Sequence, residues 1–104
     1  MIRICGKAEL PGLNQVRDFK APSGRMVCIA NVNGRLYAMD NVCPHRGGAL
    51  GQGTVEGGFV VCPWHGWQIR PETGVPEQDR SCTVECYQVE VVGDDVLITS
   101  ALSV

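Results

Sequence analysis

The chemistry available to this chain is concentrated in two short runs. Cys43-Pro44-His45 sets a thiol and an imidazole one residue apart, and Cys62-Pro63-Trp64-His65 sets the same pair two residues apart. The chain has only two histidines, and both stand beside a cysteine. Sixteen residues separate His45 from Cys62. A lone Cys or His usually belongs to a core. Two independent Cys/His pairs, with Gly47 two residues after one histidine and Gly66 directly after the other, are hard to produce by packing alone. Thiolate and neutral imidazole are both metal donors, so Cys43, His45, Cys62 and His65 together would make a four-ligand metal site.

For the two pairs to meet, the chain between them must return on itself. Thr54–Glu56 and Phe59–Val61 flank Gly57-Gly58, which predicts a hairpin and brings both ligand loops to one end of a sheet. The remaining elements are also strands. Ile2–Cys5, Gln15–Phe19, Met26–Val32, Arg35–Asp40, Gly66–Arg70, Tyr87–Val92 and Val96–Thr99 carry apolar or alternating runs. Asn33-Gly34 suits the positive φ angles of a type I′ turn, and Gly93-Asp94-Asp95 predicts the last hairpin. Valine and isoleucine far outnumber leucine, Gly and Pro contribute 13 and 6 residues, and no segment keeps a helical period. An all-β domain with many turns follows. Residues 41–53 and 71–81 are loops, and no boundary divides residues 1–104.

Composition narrows the function. A chain of 104 residues that is 44% hydrophobic builds one folded domain. A net charge of -2, a pI of about 5.6 and two lysines argue against nucleic acid as a partner. The longest apolar run, Met26 to Ala30, is far short of a membrane span, and the N-terminus has no secretory signal. The expected compartment is the cytoplasm, where six cysteines read as metal ligands or buried thiols rather than as a disulfide framework. Cys28 reads as a buried thiol, and Cys82 and Cys86 stand four apart without a clear role. Charge is divided unevenly. Residues 1–52 carry seven basic and three acidic side chains, and residues 53–104 carry two and eight. That is either ordinary solvated surface or an acidic patch steering a basic partner.

Which metal the four ligands would hold is open at this point. Cys₂His₂ is a zinc set, but zinc knuckles usually pair Cys with Cys and His with His. Here each loop gives one of each, which suits a two-iron centre in which each loop serves both irons. The runs Cys43-Pro44-His45-Arg46-Gly47 and Cys62-Pro63-Trp64-His65-Gly66 resemble the Rieske motif, Cys-x-His with Cys-x-x-His. The resemblance extends over nearly the whole chain. It implies an antiparallel β-sandwich with a small cluster-binding subdomain, about residues 41–72, made of two loops. It also implies one [2Fe-2S] cluster, with Cys43 and Cys62 on the buried iron and His45 and His65 on the outer one. Replacing two thiolates by neutral imidazoles removes negative charge, so the added electron is easier to accept. In this family the histidine edges are exposed at the tip, which implies an electron port.

The same resemblance sets further expectations. Gly47, Gly48 and Gly66 adjoin ligands and suit close backbone approach to a cluster. The 71–81 loop, with Pro71 and Pro76, stands where such proteins cover the cluster, although Glu77, Asp79 and Arg80 depart toward charge. Trp64 and Trp67 flank His65 and suit shielding, a partner contact, or ordinary half-burial. High-potential relatives brace the loops with a disulfide and donate to the cluster from a serine and a tyrosine hydroxyl. Gly48 and Trp64 occupy the first two positions here and Trp67 and Ile69 the others, which implies a low potential. Rieske oxygenases also need a mononuclear iron held by two histidines and a carboxylate, and the cluster already uses both histidines. The expectation is an electron carrier without catalytic activity of its own, a monomer when free. It would run between a flavin-dependent, NAD(P)H-fed reductase and a terminal oxygenase. The alternatives are the small subunit that accompanies the large subunit of an NAD(P)H nitrite reductase, and a zinc-binding structural module.

Overall fold

The computed structural model describes residues 2–43, 47–64 and 66–99. Ten strands follow in chain order: β1 (Ile2–Gly6), β2 (Gln15–Lys20), β3 (Met26–Val32), β4 (Arg35–Asp40), β5 (Thr54–Glu56), β6 (Phe59–Val61), β7 (Gln68–Ile69), β8 (Cys86–Tyr87), β9 (Val89–Val92) and β10 (Asp95–Ile98). The described helical turns are two short 3₁₀ segments, Lys7–Glu9 and Leu50–Gln52. None of the described helices is long and apolar enough to cross a membrane.

The strands form three antiparallel sheets, ordered β1-β10-β9, β2-β3-β4-β8 and β5-β6-β7. The four-stranded sheet is the middle layer, and β3 is its centre. Alternate side chains of a strand point to opposite faces. Val27 and Ile29 therefore enter one core, with Phe19 of β2 beside them and Ile4, Val96 and Ile98 of the neighbouring sheet. Cys28, Ala30 and Val32 enter a second core, with Leu50, Val60, Ile69 and both motif cysteines. Burial on both faces explains why Val27–Ala30 is a continuous apolar run and not an alternating one.

The turns follow the local chemistry. Asn33 and Gly34 have φ of 53° and 92°, so the pair closes the β3–β4 hairpin as a type I′ turn. Gly57 and Gly58 do the same between β5 and β6. Three expectations change in detail. The last turn is Gly93-Asp94 alone, because Asp95 already pairs with Val92. The strand expected over Gly66–Arg70 is only Gln68–Ile69, since the preceding residues belong to the ligand loop. Tyr87–Val92, expected as one strand, is two. Cys86–Tyr87 pairs with β4, and Val89–Val92 pairs with β10. The chain changes sheets at Gln88, whose N–H donates to Thr99 Oγ1 and whose carbonyl accepts from the Thr99 N–H.

Candidate metal centre

The first ligand loop hangs from the end of β4. Its root is Asn41, a buried polar residue at 5% exposure. The Asn41 N–H donates to the Met26 carbonyl (3.1 Å), and its carbonyl accepts from Leu50 N–H (2.8 Å). Its side-chain Oδ1 accepts from Gly51 N–H at 2.7 Å. Both ends of the loop are thereby fastened to one residue. Val42 then bridges to Ala49, Cys43 N–H donates to the Gly48 carbonyl (2.8 Å), and Gly47 N–H donates to the Cys43 carbonyl (2.9 Å). Gly47 has φ of 74°, a conformation that glycine adopts without strain. These bonds hold Cys43 beside Gly47 and Gly48, with the Cys43 side chain buried.

The second loop joins β6 to β7. Cys62 N–H donates to the Trp67 carbonyl at 2.9 Å, closing the loop, and Gly66 has φ of 68°. Trp67 packs half-buried on the core beneath, whereas Trp64 remains about half exposed.

Glycines of the first loop are the seats for the second. A Cβ on Gly48 would stand 2.9 Å from Cys62 Sγ and 3.1 Å from Trp64 Cγ. A Cβ on Gly53 would collide with the Val61 carbonyl oxygen and lie 3.2 Å from Pro63 Cδ. Gly51 makes a similarly close approach to the backbone of Asp18 on β2. The loops thus meet backbone to backbone at Gly53, near their roots, and at Gly48 against the side chains of Cys62 and Trp64.

This packing brings Cys43 and Cys62 together in one core at 1% and 2% exposure. Burial pushes the Cys62 thiol up. The Trp64 backbone N–H, which donates to the Cys62 sulfur, pulls it down, and the adjacent Cys43 thiol pushes it up again. Two neighbouring thiolates in an apolar core require a cation to hold both charges. The donor pair therefore fits a metal ion bound by two sulfurs, with a backbone N–H already aimed at one of them. The other two expected ligands, His45 and His65, lie outside the described residues, as do Pro44 and Arg46.

The neighbouring 71–81 loop is latched along β7. Pro76 bridges to Ile69, Glu77 N–H donates to the Gln68 carbonyl (2.9 Å), and Gln68 N–H donates to Gln78 Oε1 (2.9 Å). Glu77 also joins Arg70 (3.0 Å) and Arg80 (3.2 Å) in an exposed ion-pair chain. The loop covers the open edge of that sheet. Cys82 and Cys86 make separate contacts, with Asp79 Oδ2 and the Val84 carbonyl, and all six cysteines are free. Among the described residues, no cluster of three or more His, Cys, Asp or Glu side chains is arranged to hold a metal, the motif cysteines being a pair. The residue that sequence reasoning missed is Asn41. An asparagine after a strand reads as turn punctuation, and nothing local shows that it fastens both ends of a loop.

Comparison with known proteins matches residues 1–88 to the model of the Rieske [2Fe-2S] domain. The chain is 29% identical over 99 residues to the ferredoxin component of biphenyl 2,3-dioxygenase from Rhodococcus jostii, covering 94% of this chain and 91% of that protein. It is 27% identical over 100 residues to ferredoxin CarAc of Metapseudomonas resinovorans, covering 93% and 91%. Among solved structures, the Sphingomonas yanoikuyae B1 ferredoxin superposes with a TM-score of 0.81 at 24% identity, over 95% of this chain and 97% of that one.

Proposed function

This chain belongs to the Rieske [2Fe-2S] domain family, and on that premise we propose that it is a cytoplasmic Rieske ferredoxin. It accepts single electrons from an NAD(P)H-dependent flavin reductase and passes them to a terminal oxygenase. The observation that carries this reading is the extent of the match. The ferredoxin components it resembles are covered over 91% of their length, so they consist of little beyond this domain. The histidine count agrees: with His45 and His65 given to the cluster, no histidine remains for a mononuclear iron or a general base.

The family's cofactor is one [2Fe-2S] cluster, which supplies a centre that gains and loses one electron when bound. Cys43 and Cys62 would hold its buried iron, and His45 and His65 its outer iron. The chain's own contribution is positional. Asn41 and the Gly53 seat fix the roots of the two loops. The apolar core around Leu50, Val60 and Ile69 keeps water from the thiolate end. The Trp64 N–H stabilises negative charge on Cys62 sulfur. Partners would meet the histidine end of the motif, and charge changes at Glu77 or Asp79 should alter partner rates and their salt dependence.

The first test is metal analysis of the purified protein, which should give about two irons and two acid-labile sulfides per chain. Cys43→Ser or Cys62→Ser should abolish the visible absorption. One zinc and no sulfide would overturn the cluster assignment. The second test mixes the oxidised protein with NADH, a flavin reductase and a ring-hydroxylating oxygenase. Bleaching by the reductase and recovery with the oxygenase are expected, and inertness toward both overturns the carrier role.

A further inference from the structure

Two loops that serve one centre must be held at a fixed separation, and the described contacts differ between their roots and their tips. The roots are fastened by backbone: Asn41 for the first loop, Gly53 against Val61 between the two. At the tips the contact is made by a side chain. Trp64 lies against Gly48, and a Cβ on Gly48 would stand 3.1 Å from Trp64 Cγ and 3.4 Å from Trp64 Cβ. Trp64 therefore occupies the space that a side chain at position 48 would need.

Trp64 stands two residues after Cys62, in the same loop. Its indole is about half exposed although it is one of the largest apolar groups of the chain. Its Cβ and Cγ lie against the opposite loop at Gly48.

We propose that Trp64 is a positioning residue that ties the two ligand loops together, seated on Gly48 across the Cys62 sulfur. The proposal rests on the reading that Cys43 and Cys62 hold the cluster, and it assigns Trp64 a mechanical role in keeping them there. The tie works by contact, without a covalent bond. Its geometry nevertheless approaches that of one: the 3.4 Å between the Cβ positions falls beside the roughly 3.5–4.5 Å found across disulfides. Holding the loops at this spacing keeps chelators and water from prising the Cys62 loop away.

The test compares the holoprotein with Trp64→Ala, Trp64→Phe and the double variant Gly48→Cys with Trp64→Cys. The readouts are the rate at which visible absorption bleaches in a ferrous chelator, the spectroscopic signature of the reduced cluster, and the count of titratable thiols. Trp64→Ala should bleach faster by about tenfold, the factor that about 1.4 kcal/mol of lost contact produces. Trp64→Phe, which keeps an aromatic ring on Gly48, should recover most of that lifetime. The double variant should lose two titratable thiols on mild oxidation and bleach more slowly oxidised than reduced, a comparison in which the 2.9 Å approach of a Cβ at position 48 to Cys62 Sγ is the same on both sides. An unchanged lifetime in Trp64→Ala overturns the proposal, as do cysteines at 48 and 64 that stay free under oxidant. Thiol counting applies even to chains that have lost the cluster, so it separates this idea from the cluster assignment, which the parent protein's iron and sulfide content decides.

Discussion

Replacing Asn41 by alanine should weaken the fold more than its surface area suggests. The substitution leaves the Asn41 backbone bonds to Met26 and Leu50 intact. It removes only the 2.7 Å bond that Oδ1 accepts from Gly51 N–H. Gly51 is buried against the backbone of Asp18, so no solvent reaches the freed N–H. An unsatisfied buried donor costs about 1–3 kcal/mol. Taking about 2 kcal/mol, and about 4–8 °C per kcal/mol for a domain of this size, Tm should fall by about 8–16 °C. The neighbouring Gln52→Ala is the control. Its amide donates to Asp18 Oδ2 at 2.9 Å, but in the open, and water replaces it. Its cost should stay within about 0.5 kcal/mol. Both variants are heated at one scan rate under anaerobic conditions, with far-UV circular dichroism for the fold and visible absorption for the cluster. In Asn41→Ala the cluster should be lost with or before the fold, since its first loop is rooted there. A fall below about 2 °C, or equal falls in the two variants, would refute the argument that burial of this one bond anchors the loop.

The other predictions concern the core, the loop seats and the redox centre. Burial holds the Cys28 thiol up at about 12 against an ordinary 9.0. The fold therefore keeps it protonated while the unfolded chain ionises it, and this contribution, complete below pH 9, is lost as pH rises from about 9 to about 12. Urea unfolding across that range should show a steeper loss for the parent than for Cys28→Ala; parallel curves would count against it. Gly53→Ala drives a methyl into the Val61 carbonyl, a backbone group that cannot swing aside, and should cost about 1–3 kcal/mol with early loss of colour. Gly57→Ala meets no neighbour, so its positive φ of 59° alone should cost about 1 kcal/mol, and thermal melts should rank the two in that order. Neither Trp67 nor the fully buried Ile69 carries a hydroxyl to donate to the cluster, so protein-film voltammetry should find a midpoint below about 0 mV. A value near +200 mV at pH 7 would contradict this and point to quinol chemistry.

What was legible in the sequence was what local chemistry decides. Asn33-Gly34 and Gly57-Gly58 were readable as turns because two successive positive φ angles exclude most other residues. The Cys/His runs were readable because donor type and spacing are themselves the chemistry. The break at Gln88 was hidden, because the chain changes sheets there through the backbone and hydroxyl of Thr99, eleven residues away. Gly51 and Gly53 read from the sequence only as turn glycines of the 41–53 loop. They serve close approach to Asp18 and Val61 instead, and only the folded neighbours reveal that. Cys43 and Cys62 read as a pair from either level. The histidines that complete the motif rest on sequence and family membership.

The middle strand has a consequence for how this protein tolerates change in length. Residues of β3 alternate between the two cores, with Val27 and Ile29 on one side and Cys28, Ala30 and Val32 on the other. A one-residue insertion in β3 would exchange the two sets, placing in each core the shapes made for its counterpart. Few strands are so doubly committed, and such an insertion has no neutral outcome. The Asn33-Gly34 and Gly57-Gly58 turns carry no such commitment, for no atom lies near a side chain added at either Gly34 or Gly57. Length variation among natural versions of this domain, and any engineered tag or spectroscopic label, should therefore gather at those turns and leave the middle of the sheet untouched.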